Sequence, residues 1–474
     1  MKKGFVLSII ISISAVLLLL GGCGNSAPDN QTAEVQSSPA ADTQTESPEV
    51  LPGTAEPDDN VPEIAEDPAE ESDNEEIPAS EDSVEAEAPE DIIEQEEFLE
   101  SDDEQESTDE PASVLSDVDG NDVSSVQDQP HELNYSDDID TIIASMSLHE
   151  KICQMIIVTP SVLAGASKVT SADSMQIPLS NYPVGGLILD KSNIVNGTQL
   201  SGMISQAQSY MTIPMIVTLD EEGGRVTRLM GTVGTTPFGP MYTYHELGPE
   251  VASFNAMTIG TDIRRFGFNM DLAPVADVWS NPDNTVIGDR AYSTDFDEAS
   301  TLVSAAVSGF HLSGVACCIK HFPGHGDTSA DSHYGSVYVY KTLDEMRTNE
   351  FKPFISGINS GADAVMIGHL IVADQGNIPA LFSSSLITGV LRNELGFNGV
   401  VISDSLQMKA MTDYYGAADI PVMAVAAGCD ILLMPTDLEV TVSSLQTAVQ
   451  NGIISEERIN ESVRRILILK KKYI

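Results

Sequence analysis

The sequence predicts an α/β chain: a (β/α)8 barrel of the TIM type, preceded by a disordered acidic tether. Three observations predict it. From residue 137 onward, eight short apolar runs alternate with amphipathic stretches. Nearly every run ends, on its C-terminal side, in a side chain capable of chemistry, and barrel strands converge at that end. Ahead of the runs lies a stretch, 24–136, that contains no Lys or Arg at all.

The N-terminal element is MKKGFVLSIIISISAVLLLLGGCGNS. Lys2 and Lys3 form a positive head, an apolar run follows, and small residues lead into Cys23, which together read as a secretory signal over 1–22. Leu20-Gly21-Gly22-Cys23 resembles a bacterial lipobox, which implies cleavage before Cys23 and a lipid on its sulfur. The expected location is therefore extracytoplasmic, anchored to the cell membrane through Cys23.

Residues 23–136 are the expected tether. Segment 24–136 carries 37 Asp plus Glu amid Pro, Ser, Thr, Gln and Ala. So many like charges with so little apolar mass cannot offset the entropy of ordering. As a flexible coil it would span ~60 Å. Taking these 37 acids from the chain's 73, and Lys2 and Lys3 from its 22 bases, leaves 36 acids against 20 bases, a net charge of −16 over 137–474. That is an ordinary acidic domain without a basic face for nucleic acid. Cys153, Cys317, Cys318 and Cys429 read as buried small side chains rather than a disulfide framework.

The barrel elements follow in order. The apolar runs are QMIIVTP (154–160), GGLILDK (185–191), PMIVTLDEEGG (214–224), FNMDLAPVADV (268–278), ACCIKHFPGHG (316–326), ADAVMIGHL (362–370), GVVISDSLQM (399–408) and DILLMPTD (430–437). They alternate little, as parallel strands buried on both faces do. Helices are expected over 196–211, 249–266, 298–313, 343–360, 384–395 and 416–427, with a final pair at 438–451 and 455–471. Asp220, Asp277, Lys320 with His321, His369 and Asp404 stand at strand ends. One such Asp can simply cap the next helix; five such ends argue for a shared mouth.

The densest chemistry is KHFPGHGDTSADSHYG, 320–335, with three histidines, two aspartates and three glycines. Three readings apply. As a metal site it offers His321, His325, Asp331 and His333, but without a compact ligand spacing and with a lysine beside the first ligand. As a phosphate cradle it lacks glycines leading straight into a helix. As a mobile acid–base loop it would use Asp331 to orient His333, with Gly324, Gly326 and Gly335 as hinges.

KHFPGHGDTSADSH resembles the signature of family 3 glycoside hydrolases, in their single-domain β-N-acetylglucosaminidase branch. DEEGGRVTR (220–228), NMDLAPVADVWSNPDNTVIGDRAYS (269–293) and VVISDSLQMKAM (400–411) fall in the order of that family, so the resemblance covers 137–474. It implies Asp404 as the nucleophile and His333 as the acid–base with Asp331 as its partner. It also implies Asp220, Arg228, Arg290, Lys320 and His321 as residues that hold the sugar. No metal and no cofactor are expected. Two departures stand out. YGSVYV follows DSH where small residues and Leu-Pro are usual, and Trp279 replaces a more usual polar residue, to stack on a sugar or to pack.

The expected activity is that of a retaining exo-β-N-acetylglucosaminidase on cell-wall fragments or related glycans, with carbohydrate as its partner and a monomeric state. The alternatives are phosphorolysis, β-glucosidase activity within the same family, or a sugar-binding lipoprotein without catalysis. A histidine acid–base, neutral once deprotonated, would repel phosphate less than a carboxylate does.

Overall fold

In the computed structural model, residues 134–329 and 335–474 are described. Cys23, residues 24–133 of the acidic segment, Asp331 and His333 lie outside the described residues.

Each of the eight apolar runs contains a strand. The strands are β1 (Ile156–Val158), β2 (Gly186–Ile188), β3 (Ile216–Thr218), β4 (Met270–Asp271), β5 (Ala316–Phe322), β6 (Val337–Val339), β7 (Ala364–Ile367), β8 (Leu370–Val372), β9 (Val400–Ser403) and β10 (Leu432–Leu433). β10, β1, β2 and β3 pair in parallel in that order, and so do β4, β5, β7 and β9. Two seams close the ring. At one, Asn269 N–H and Leu272 N–H donate to Val217 O and Leu219 O, at 3.1 and 3.0 Å. The Asn269 side chain supplements this seam, accepting from Val217 N–H at 3.0 Å and donating to Met215 O at 3.0 Å. At the other, Ile402 bridges Ile431 in parallel and Ser403 N–H donates to Ile431 O at 2.9 Å. The result is a closed eight-stranded parallel barrel whose strands are buried throughout, which is why their sequences are continuous rather than alternating.

The outer helices match the expected ones, with local differences. Phe296–Ser313 starts where Asp295 accepts two backbone N–H groups and stops where Gly314 adopts φ 72°. The expected 343–360 helix breaks into Leu343–Thr348 and Phe351–Asn359. Asn349 leaves helical geometry there, and the buried Glu350 pairs with Lys341. Ser385–Glu394 winds as a π-helix. An unanticipated two-stranded parallel ribbon joins β6 to β8. Its first strand, Val337–Val339, alternates buried–exposed–buried over only three residues, too short a pattern to read from sequence. Cys153, Cys317, Cys318 and Cys429 are buried free thiols, as expected.

Candidate active site

The C-terminal end of β3 continues into Asp220-Glu221-Glu222. In this extended stretch, residues two apart share a face, and Asp220 and Glu222 both meet Lys320 of β5. The Lys320 ammonium lies 2.8 Å from Asp220 Oδ1 and 2.5 Å from Glu222 Oε1. Asp220 Oδ2 also accepts from Arg228 Nη2 at 2.9 Å. Arg290 donates from Nε and Nη2 to the two oxygens of Glu222, each at 2.8 Å, and from Nη1 to Val286 O. Three cations thus face two anions, leaving one net positive charge among nearly buried groups. Burial opposes charging both acids. Lys320 and Arg228 at Asp220, and Arg290 and Lys320 at Glu222, outweigh it and hold each carboxyl below its usual range.

Glu221 points the other way, accepting backbone N–H groups from Arg228, Leu229 and Met230 at 2.6, 2.9 and 3.2 Å. It thereby sets the loop that carries Arg228. Below it, Asp271 accepts Glu221 N–H at 3.0 Å, and burial pushes its carboxyl well above the ordinary aspartate value.

At the end of β4, Asp277 serves as a bracket. Its Oδ2 accepts His321 Nδ1 at 2.6 Å and His321 N–H at 3.1 Å, and its Oδ1 accepts His325 N–H at 2.7 Å. An ionised Asp277 makes Nδ1 the donor and fixes the His321 tautomer. The loop beyond is anchored further. Asn284 Nδ2 donates to His325 O at 2.7 Å, and Thr328 Oγ1 lies 2.8 Å from His325 Nδ1. The expectation that Gly324 and Gly326 serve as hinges is not met. Gly324 sits at φ 130°, and a Cβ on Gly326 would stand 1.7 Å from Val278 O. Gly324 permits close packing against the Glu350 side chain, and Gly326 close packing onto the loop after β4. Of the three glycines, Gly335 alone has nothing within 4 Å of its Cβ position among the described residues.

Asp404 follows β9. Its N–H donates to Ile367 O at 3.0 Å, and its Oδ1 accepts Ser405 N–H at 2.7 Å. His369, at the end of β7, lies with Nε2 2.8 Å from Ser405 O and supports the same turn. Among the described residues, Asp404 Oδ2 takes no hydrogen bond. Burial would raise the Asp404 pKa, but the positive fields of His369 and His321, the Ser405 N–H and Lys320 bring it below the ordinary aspartate value. An anion with one uncommitted oxygen therefore faces a cationic wall.

The barrel brings Asp220, Arg228, Arg290, Lys320, His321 and Asp404 to one mouth. Glu222 went unrecognised in the sequence, although its spacing of two from Asp220 carried the signal. Trp279 packs on Val275, Ile287 and Ala291 and meets Tyr242 edge-on at 5.3 Å, which favours the packing role.

Residues 147–469 match the family model described as glycosyl hydrolase family 3 N terminal domain. The chain is 32% identical to "Beta-hexosaminidase A" of Pseudoalteromonas piscicida, over 66% of this chain and 57% of that protein. It is 34% identical to "Beta-hexosaminidase" of Stenotrophomonas maltophilia strain R551-3, over 54% of this chain and 77% of that one. The solved glycoside hydrolase family 3 β-N-acetylglucosaminidase from Paenibacillus sp. str. FPU-7 superposes with a TM-score of 0.65 at 35% identity, covering 69% of this chain and 63% of its own. The chain therefore spans less than two thirds of the P. piscicida and Paenibacillus proteins.

Proposed function

Starting from the fact that this chain belongs to glycosyl hydrolase family 3, we propose that it is a retaining exo-β-N-acetylglucosaminidase. It would remove terminal non-reducing β-linked N-acetylglucosamine from cell-wall fragments or related glycans. The observation that carries the reading is Asp404: a strand-end carboxylate with one uncommitted oxygen, kept anionic by His369, His321 and Lys320. A retaining reaction needs such a group below the anomeric carbon.

In this reading, an Asp404 oxygen attacks the anomeric carbon as the glycosidic C–O bond breaks. The His333 imidazolium gives its proton to the departing oxygen, and Asp331 orients the ring. Water then attacks the glycosyl-enzyme, His333 takes the water's proton, and Asp404 departs. Asp220, Arg228, Lys320 and His321 hold the sugar hydroxyls and acetamido group. Arg290 acts through Glu222, to which it is doubly bonded. An extracytoplasmic location through lipid on Cys23 belongs to the same proposal, supported by the lipobox-like Leu20-Gly21-Gly22-Cys23 after the apolar run.

A panel of aryl β-glycosides tests the reading. The N-acetylglucosaminide should be cleaved in preference to the glucoside, with free sugar released whether or not phosphate is present, and Asp404→Ala should abolish turnover. Sugar 1-phosphate as product would replace hydrolysis by phosphorolysis, and preference for the glucoside would replace the substrate. Binding without cleavage by the unmodified chain would remove the enzyme reading.

A further inference from the structure

At the end of the barrel opposite the mouth, three side chains from separate elements converge. His311 comes from the last turn of Phe296–Ser313, Cys317 from the start of β5, and Asp363 from the turn before β7. His311 Nε2 lies 2.9 Å from Asp363 Oδ2, Cys317 Sγ lies 3.7 Å from Asp363 Oδ2, and Cys317 Sγ lies 3.9 Å from His311 Nε2. A tetrahedral zinc ion with ordinary bonds to sulfur, nitrogen and oxygen needs ligand separations of about 3.3–3.6 Å. The observed set, 2.9–3.9 Å, brackets that range within a few tenths of an ångström.

The carboxylate is held by outer donors. Oδ1 accepts Lys472 Nζ at 2.7 Å, and the Tyr473 hydroxyl lies between the two oxygens, 3.0 Å from Oδ1 and 2.9 Å from Oδ2. Oδ2 faces the thiol and the imidazole and accepts Cys317 N–H at 3.1 Å. Carboxylates that ligate a metal are themselves commonly hydrogen-bonded by outer donors, as Lys472 and Tyr473 would do here. Cys317 and Asp363 are buried, whereas the His311 side chain is 26% exposed and leaves an entry path.

The geometry points to a structural zinc site formed by His311 Nε2, Cys317 Sγ and Asp363 Oδ2, with water in the fourth position. This departs from the expectation of a metal-free chain in which Cys317 only fills space. Mixed sulfur, nitrogen and oxygen donors in a tetrahedron suit zinc rather than magnesium or calcium. On binding, the Cys317 thiol releases one proton to solvent, and neutral His311 keeps its proton on Nδ1 while Nε2 supplies the lone pair. Thiolate and carboxylate balance the two charges of the ion. The site ties the helix Phe296–Ser313 to β5 and β7 and, through Asp363, to the C-terminal helix Glu456–Tyr473. It stands on the face of the barrel that governs stability, about 10 Å along β5 from Lys320, and does not depend on the chemistry at the mouth.

The test uses cobalt(II), then zinc, on the full chain. One cobalt should remain per chain after dialysis, with thiolate-to-metal charge-transfer absorption and tetrahedral d–d bands, and zinc should displace it. Cys317→Ser and His311→Gln should abolish the absorption. Cys153→Ser, which removes the thiol 3.6 Å from His149 Nε2, should keep it, and so should Asp404→Ala. Zinc should raise the Tm of the parent chain and leave that of Cys317→Ser unchanged. If Cys317→Ser fails to fold, His311→Gln at its partly exposed position carries the comparison. Absence of the charge-transfer band in the parent chain, or its persistence in His311→Gln or in folded Cys317→Ser, overturns the site.

Discussion

Replacing Lys320 with methionine keeps the apolar stem and deletes the ammonium that joins β5 to β3. That ammonium is nearly buried, 2.8 Å from Asp220 Oδ1 and 2.5 Å from Glu222 Oε1. Removing one partner from a buried ion pair typically costs about 3–5 kcal/mol. Each carboxylate here keeps a guanidinium, Arg228 on Asp220 and Arg290 on Glu222. The expected cost for Lys320→Met at neutral pH is therefore near the low end, about 3 kcal/mol. With unfolding entropy of about 2.1 cal/mol/K per residue over roughly 340 residues, the Tm should fall by about 4 °C. The pH dependence follows from the sign of the shifts. Both acids are depressed in the folded state, so their pairing contributes above the unfolded carboxylate value and is lost as pH falls through the folded one. Without Lys320 their folded pKa values rise, and added acid neutralises the unpaired charge. The deficit should be largest near pH 7 and shrink towards pH ~4. Thermal unfolding followed by circular dichroism across that range measures it. A deficit that is absent at neutral pH, or that grows with acid, refutes the electrostatic account of this cluster.

Two further outcomes follow from other groups. Because the Asp404 carboxyl is held below its ordinary value despite burial, its acid limb in kcat/KM should lie below pH ~4. His369→Ala removes the largest offsetting charge and should move that limb upward, whereas an unmoved limb would detach it from Asp404. Lys470 is buried, donates to Gln154 Oε1 at 2.6 Å, and has its pKa pushed down to about 7 by burial. The unfolded lysine then holds more protons than the folded one between pH ~7 and ~10, so this residue makes stability rise with pH there, by about 4 kcal/mol. Lys470→Met removes that penalty but orphans Gln154 at a cost of about 1–3 kcal/mol. The variant should be the more stable chain at pH ~7 and the less stable at pH ~10; Tm curves that never cross would contradict this.

The barrel was legible because strands buried on both faces leave continuous apolar runs, and the loops after them concentrate the polar chemistry. Asp220, Lys320, His321 and Asp404 were readable for the same reason, since each stands where a run ends. What stayed hidden depends on contacts between distant segments. Asp277 looked like another strand-end acid, yet both its oxygens are committed to the chain around His321 and His325. Gly324 and Gly326 looked like hinges because sequence does not reveal that Glu350 and the Val278 carbonyl press against them. Glu222 needed Lys320, 98 positions away, to acquire meaning, as Cys317 needed Asp363. The break at Asn349 follows from burying Glu350 against Lys341, a tertiary demand that overrides helical periodicity.

The central claim is that an Asp404 oxygen forms a bond to the sugar. Acid-quenching the chain during turnover of a fluorinated N-acetylglucosaminyl donor, whose glycosyl-enzyme breaks down slowly, tests it by peptide mass mapping. The account predicts one N-acetylhexosaminyl adduct on the peptide containing Asp404, absent from Asp404→Ala. An adduct on another carboxylate, or rapid cleavage with inverted product configuration and no adduct, would contradict it.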